Sequence, residues 1–348
     1  MCDVVGALAP VTAEGATIWA KNSDRPPSET QVLEWLAPHR DEPTVRATHI
    51  EIEGARAGTI GVVGSRPAWG WGLEHGVNQA GVAVGNLSVF TTLDPRTFPP
   101  ALTGMDLVRL ALERGSSARE AIAVIGDAID RYGQGGSGHH LAAHPYWSSF
   151  VVSDAEAIWV VDTSGPTWTA EGVGPTWASS NRTALPAFDA MHRHPRQPVG
   201  RLVEPRLAAS WAMLNRAPVS VEAVVSHLRS HEGHDGYSPC MHAGAEQETT
   251  ASMVVTLPRG RSPMVRCVIG SPCSSIFVPL AIGPIGLPPQ RWPLPGPSTV
   301  GEREVLDQAE AQLTEMVGAD PDLVDSPKWP ATAWSIALGA AEELADRR

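Results

Sequence analysis

A thiol at position two, followed at once by a short apolar hairpin, constrains this chain more than any other feature. Val4 to Leu8 and Thr17 to Ala20 read as short β-strands, with Ala9 to Gly15 as the loop between them. Such a hairpin brings Cys2 beside the run that follows the second strand, Lys21-Asn22-Ser23-Asp24-Arg25. A side chain as small as that of Cys2 allows the initiator Met1 to be trimmed. Trimming leaves one residue holding both a thiol and an α-amine of pKa about 7.7–8.0. A nucleophile with its own amine as base is a minimal catalyst for acyl transfer. A nearby cation such as Lys21 or Arg25 disfavours the ammonium and favours the thiolate. By position alone the same thiol reads more readily as a small buried hydrophobe, and it is the rest of the chain that reverses this.

The following segments alternate in type. Thr59 to Val63 and Gly81 to Asn86 read as strands, separated by a Gly/Trp loop with no regular period that holds Trp69 and Trp71. Thr103 with Asp106 and Ser117 with Glu120 have the spacing of helix-start capping pairs, and Gly115 between them is a helix stop. Phe150 to Ser153, Ala157 to Asp162 and Trp168 to Ala170 form a meander, and Thr176 to Ser179 leads into Asn181. Val221 to Arg229 has a helical period. Ser252 to Leu257 and Met264 to Ile269 read as paired strands. Ile282 to Pro297 is Pro-rich, and Arg303 to Val317 and Ala331 to Ala345 are helical. Strands, helices and strands again predict an α+β layered domain.

Composition excludes several classes. The chain is 348 residues long, 43% hydrophobic and 18% charged, with a net charge of −12 and no basic stripe, which argues against nucleic acid as a partner. No apolar run approaches the roughly 18 residues of a membrane helix. No basic start followed by an apolar core marks a secretory signal. Lysine occurs only at Lys21 and Lys328. Four scattered cysteines, Cys2, Cys240, Cys267 and Cys273, form neither a disulfide framework nor a Cys-x-x-Cys pair. A reducing cytoplasm is the expected location, and it keeps a thiol active.

One rival chemistry is visible. His227, His231 and His234 have the spacing H-x-x-x-H-x-x-H, with Asp235 alongside, and histidines at i and i+4 can share a helix face and bind zinc. No Glu follows His227, so the metalloprotease base is missing, and Gly233 and Gly236 end the helix there. We therefore expect no metal and no cofactor.

The ordered motifs resemble the secernin and peptidase family C69 (dipeptidase-like) branch of the N-terminal nucleophile hydrolases. They are Met1-Cys2-Asp3, Lys21 to Pro26, Glu29-x-Gln31, Ser65 to Gly72, Gly81 to Asn86, Gly104 to Leu110, Tyr132 to Gly136, Ser149 to Glu171, Ser179-Ser-Asn181, Cys240-Met-His242 and Thr249 to Met253. The resemblance runs in order from residue 1 to about 280. It implies a four-layer αββα sandwich over 1–280, with a Pro-rich linker and a helical appendage over 281–348. It also implies a relationship to choloylglycine hydrolases and penicillin V acylases.

On that resemblance Cys2 is the nucleophile. Lys21 and Asp24 fall where those acylases carry an Arg and an Asp, and Lys for Arg is a departure from them. Asn86 and Asn181 fall at the oxyanion and amine-orienting asparagines. The late active-site Arg stays open among Arg182, Arg201 and Arg206. The catalytic candidates are thus Cys2, Lys21, Asp24, Arg25, Asn86 and Asn181. The substrate-side candidates are Trp69, Trp71 and His242, although ordinary core packing accounts for the two Trp equally well and a structural turn accounts better for Cys240 to His242. The expected function is a cysteine amidohydrolase that cleaves a dipeptide or N-acyl amide through an acyl-enzyme on Cys2. An acyltransferase on the same intermediate and a catalytically idle scaffold are the alternatives. Oligomeric state is open.

Overall fold

A computed structural model of the chain describes residues 1–40, 43–140, 143–197, 199–286, 288 and 300–347. In chain order the first strands are β1 (Cys2–Ala7), β2 (Thr17–Arg25), β3 (Gln31–Leu36), β4 (Thr44–Arg46), β5 (Glu51–Glu53), β6 (Val62–Pro67), β7 (His75–Asn78) and β8 (Ala83–Val89). Helices α1 (Gly104–Arg114) and α2 (Ala118–Tyr132) follow. Next come β9 (Trp147–Ser153), β10 (Ile158–Ser164), β11 (Thr167–Gly172) and β12 (Thr176–Ser179). The helices α3 (Pro186–His192), α4 (Val199–Leu202), α5 (Glu204–Leu214) and α6 (Val221–Leu228) precede β13 (His242–Ala243), β14 (Gln247–Leu257), β15 (Met264–Ile269) and β16 (Val278–Ala281). Helices α7 (Val300–Ala319) and α8 (Trp329–Arg347) close the chain.

Two seven-stranded sheets form the centre. One runs β12-β1-β2-β14-β15-β16, with β13 added on β14; the other runs β11-β10-β9-β8-β7-β6-β3. All their pairings are antiparallel. Side chains alternate across a strand, and here both faces of each sheet are covered. Val4, Trp19, Met253 and Val255 of the first sheet meet Val63, Val77, Ala83, Leu87 and Val151 of the second between the layers. Their neighbours Val5, Ile18, Ala20 and Val254 face outward onto Val221, Val224 and Val225 of α6. Val62, Val84, Phe150 and Val152 face outward onto α1 and α2. Each fully buried aliphatic side chain contributes about 1.5–3 kcal/mol. The four layers αββα match the expected architecture.

Local signals place the first helical layer. Thr103 and Asp106 form the reciprocal capping box of α1, and Ser117 caps α2 through Glu120 N, contacts of about 1 kcal/mol each. Helices α7 and α8 put Leu306, Leu313, Trp329, Trp334 and Leu344 into the same core as the inter-sheet residues. Trp329 Nε1 donates to Pro279 O at 2.7 Å, which fixes α8 on β16. Of the Pro-rich stretch from Ile282 to Pro297, 287 and 289–297 lie outside the described residues.

One expectation is corrected and one unread stretch is filled in. The second strand does not stop at Ala20 but continues to Arg25, buried along its whole length. Its polar end is held in the sheet on both sides, with Lys21 opposite Val4 of β1 and Met253 of β14. The stretch between Asn181 and α6, to which the sequence reading gave no element, carries α3, α4 and α5.

Candidate active site

The extension of β2 builds the site. Trp19 points between the sheets, so Lys21, Ser23 and Arg25 do as well, while Asn22 and Asp24 face the α5 and α6 side. Antiparallel pairing sets Cys2 opposite Ser23. Lys21, fully buried, reaches Cys2 Sγ at 3.3 Å, Ser23 Oγ at 2.5 Å and Glu74 Oε2 at 3.7 Å. Room for its stem comes from Gly85 of the facing sheet, where a Cβ would lie 2.6 Å from Lys21 Cδ. Ser23 Oγ lies 3.0 Å from His75 Nδ1. Burial first, and the Lys21 charge second, hold His75 well below the usual histidine range, so it is neutral.

Arg25 serves the walls. It donates to Glu29 Oε2 at 2.9 Å through Nε and to Gly138 O at 2.8 Å, and pairs with Glu74 at 3.3 Å.

The backbone of Cys2 is held separately. Its N–H donates to Asn181 Oδ1 at 2.8 Å, and Asn181 Nδ2 in turn donates to Ser88 O and Oγ at 3.0 Å each. Arg206 of α5, fully buried, donates to the same Asn181 Oδ1 at 3.0 Å and to Asp3 Oδ2 at 2.5 Å, and lies 3.7 Å from Asp24 Oδ2. Of the three arginines left open, Arg206 is the one at the site. Arg182 instead pairs with Asp189 and Glu204.

Thr249 Oγ1 donates to Asp24 Oδ1 at 2.7 Å from a β14 segment whose register shifts between Thr249 and Ala251; such bulges re-aim side chains beside sites. Burial raises the Asp24 carboxyl, with Asp3 adding to it, against the N-terminal amine, Arg206 and Thr249.

Cys2, Asp24 and Arg25 line a cleft of about 70 Å³ together with Met1, Asn86, His144 and Gln247, among others. The Met1 ammonium lies in it, donating to Asp24 O at 2.8 Å and Gln247 Oε1 at 3.1 Å. Asn86 follows the alternation of β8 outward, toward the first residue of α1, and its Oδ1 has no hydrogen-bond partner among the described residues. His139 and His144 also line the cleft. Burial, then the Arg25 charge, brings His139 down to about 3, and burial lowers His144 as well.

The structure therefore brings Cys2, Asp24, Arg25 and Asn86 to one cleft, with Lys21 and Asn181 buried behind it in contact with Cys2. It takes the three substrate-side candidates elsewhere. Trp71 packs on α1 under Arg109, whose guanidinium lies 4.2 Å from its ring. Trp69 stacks on His140 with centroids 6.0 Å apart. His242 sits among Cys240, Cys273 and His231. The histidine series also divides. Helix α6 ends at Leu228, so His231 is not one turn above His227. His227 is a core residue 3.0 Å from Ser210 Oγ, and His234 pairs with Asp235 at 2.8 Å.

Sequence reading passed over Asp3, Ser23, Glu74, His75, His139, His144, Gln247 and the site role of Thr249. Of these, Asp3 and Thr249 stood inside quoted motifs, and Ser23 inside the Lys21 run. Glu74, His75 and Gln247 carried no local signal.

Among known proteins, residues 12–195, just over half of the chain, match the model of peptidase family C69. The chain is also similar in fold to conjugated bile acid hydrolase from Clostridium perfringens, solved as its C2A mutant. The identity is 12%, 81% of this chain and 92% of that one are covered, and the TM-score is 0.53. Penicillin V acylase from Agrobacterium tumefaciens is similar at 14% identity, with 81% and 86% covered and a TM-score of 0.50. At such identities the likeness is one of fold.

Proposed function

This chain belongs to peptidase family C69, and from that premise we propose that it is a cysteine amidohydrolase working through Cys2. The observation that carries this reading is the double hold on one residue: Sγ 3.3 Å from the Lys21 ammonium and N 2.8 Å from Asn181 Oδ1. Once whatever precedes Cys2 is removed, its nitrogen becomes an amine oriented by Asn181 and by the nearby Asp24 carboxyl. The amine takes the thiol proton, and Lys21 stabilises the thiolate. The thiolate adds to the amide carbonyl, and the tetrahedral intermediate expels the amine with the proton returned by the α-ammonium. A thioester on Cys2 remains. Water, deprotonated by the same amine, releases the acid and restores the thiol. Asn86, buried in the cleft wall, is the candidate amide donor for the oxyanion.

The handling of Met1 supports a substrate with a free α-ammonium, a dipeptide rather than an N-acyl amide. Asp24 O and Gln247 Oε1 already hold an ammonium there, and Asp24 Oδ2 and Asn86 Oδ1 offer further acceptors. The test is a panel of dipeptides beside their N-acetylated forms, run on protein whose N-terminus is read by intact mass. Turnover of the free dipeptides, by protein that begins at Cys2, is expected. Full activity in a preparation with Cys2 still acylated by a preceding residue sinks the mechanism. Equal activity on the acetylated forms sinks the substrate assignment alone.

A further inference from the structure

Behind the cleft, on the far side of Thr249, lies a second cluster of cysteine and histidine that the reaction does not use. His231 follows the end of α6, Cys240 and His242 flank Met241, and Cys273 comes from the short helical turn after β15. His242 Nε2 is 3.3 Å from Cys273 Sγ and 3.5 Å from Cys240 Sγ. His231 stands edge-on to His242, with ring centroids 5.2 Å apart. One ligand atom from each of the four residues lies within 4.8 Å of all the others.

We propose that His231, Cys240, His242 and Cys273 form a structural zinc site. A tetrahedral zinc with Zn–S of about 2.3 Å and Zn–N of about 2.0–2.1 Å sets its ligand atoms about 3.3–3.8 Å apart. The two S–N separations at His242, 3.5 and 3.3 Å, fall in that range. Two thiols and two imidazoles suit zinc and exclude calcium or magnesium, which take oxygen. Four protein ligands close the coordination sphere and leave no position for substrate, so the metal holds structure and does no chemistry. On binding, each thiol loses its proton to solvent and each imidazole gives a lone pair, with no change of oxidation state.

The metal joins the segment after α6 and the β13 segment to Cys273, 31 positions beyond His242, and one of these segments bears on the cleft. Met241, between two ligands, donates its N–H to Thr249 Oγ1 at 2.8 Å and accepts from Thr249 N at 3.0 Å. Thr249 Oγ1 is the donor to Asp24. Zinc thus braces the strand that positions Asp24. The assignment does not depend on the catalytic reading.

The test uses the full chain expressed with zinc and purified under reducing conditions without chelator. Elemental analysis should find one zinc per chain, and the metal-free protein titrated with cobalt(II) should develop thiolate charge-transfer and tetrahedral visible bands. His231 is exposed, so His231→Ala should stay folded yet lose the metal and the cobalt spectrum. Chelation should lower the melting temperature of the parent chain by several degrees and leave that of His231→Ala unchanged. Reduced, folded protein that retains no metal and gives no cobalt spectrum overturns the proposal. So does a Cys240–Cys273 disulfide that persists in the reduced preparation.

Discussion

Two cysteine sites face each other across β14, and they differ in what stands beside the sulfur. At the cleft one thiol meets one ammonium, Lys21, and a backbone nitrogen fixed by Asn181. Behind β14 two thiols meet two imidazoles. On the proposed mechanism, a lone sulfur beside a cation and an incipient amine, at the wall of a cleft, is arranged to attack. Sulfurs converging with imidazoles, with no substrate position left, are arranged to hold. The same element serves opposite ends because its neighbours decide whether its electron pair is offered outward or spent within the protein. Cys267 is a third case. Burial alone raises its thiol, and it packs in the inter-sheet core as an inert hydrophobe.

The largest predicted effect separates the two sites. Cys2→Ala should lower turnover by on the order of 10³-fold or more, as nucleophile removal does. Its stability should stay within about 1–2 kcal/mol of the parent and its zinc content should not change. His231→Ala should do the reverse, losing metal while folded protein keeps most of its turnover. Steady-state kinetics and elemental analysis on the same preparations check both. Near-normal turnover of Cys2→Ala on a verified substrate ends the nucleophile assignment.

The next effect lies where the two regions touch. Asp24 accepts from Thr249, and Thr249 is bonded to Met241 between two cluster ligands. Asp24→Asn keeps the shape and an acceptor for Thr249 but removes the carboxylate that the proposed mechanism uses to orient the amine. A fall in kcat on the order of 10²-fold is expected, the scale of lost general-base help, with a displaced pH profile. Unchanged kcat assigns Asp24 to structure alone.

What the sequence made legible follows physical range. The hairpin is local, so the approach of Cys2 to Lys21 through Arg25 could be read from strand and loop lengths. The caps at Thr103 and Ser117 were readable because a cap acts over three residues. The strand character of Lys21 to Arg25 was hidden, because polar residues remain in a buried strand only when partners far along the chain satisfy them, here Glu74, Ser252 and Thr249. Arg206 could not be told from Arg182 or Arg201 by spacing, since what selects it is the packing of α5 against β1. The cluster ligands were all visible as residues, but Cys273 joins His242 from 31 positions away. The regular spacing of His227, His231 and His234 suggested a metal set that the end of α6 disperses. Local period is a guide only while the helix that carries it lasts.

The smallest effect tests that dispersal directly. His227 and His231 are four residues apart and shift in opposite directions. The hydrogen bond with Cys273 raises His231. Burial lowers His227 to about 4 from the usual 6.5, with Glu232 opposing only in part. Between those two values the unfolded chain binds a proton at His227 that the native chain refuses. Stability therefore falls as pH drops through that window, by about 1.4 kcal/mol per pH unit, and is untouched above it. At pH 5 the loss from this residue is about 2 kcal/mol. His227→Gln keeps a hydrogen-bonding side chain for Ser210 and removes the titration, so it should flatten the slope by that amount. Urea denaturation at pH 7 and pH 5 reads the difference. The experiment belongs on the His231→Ala background, where acid release of a metal cannot add its own slope. Identical pH slopes with and without His227 would show that this imidazole is not held neutral, and the division of the histidine series into core and cluster members would then fail at its first residue.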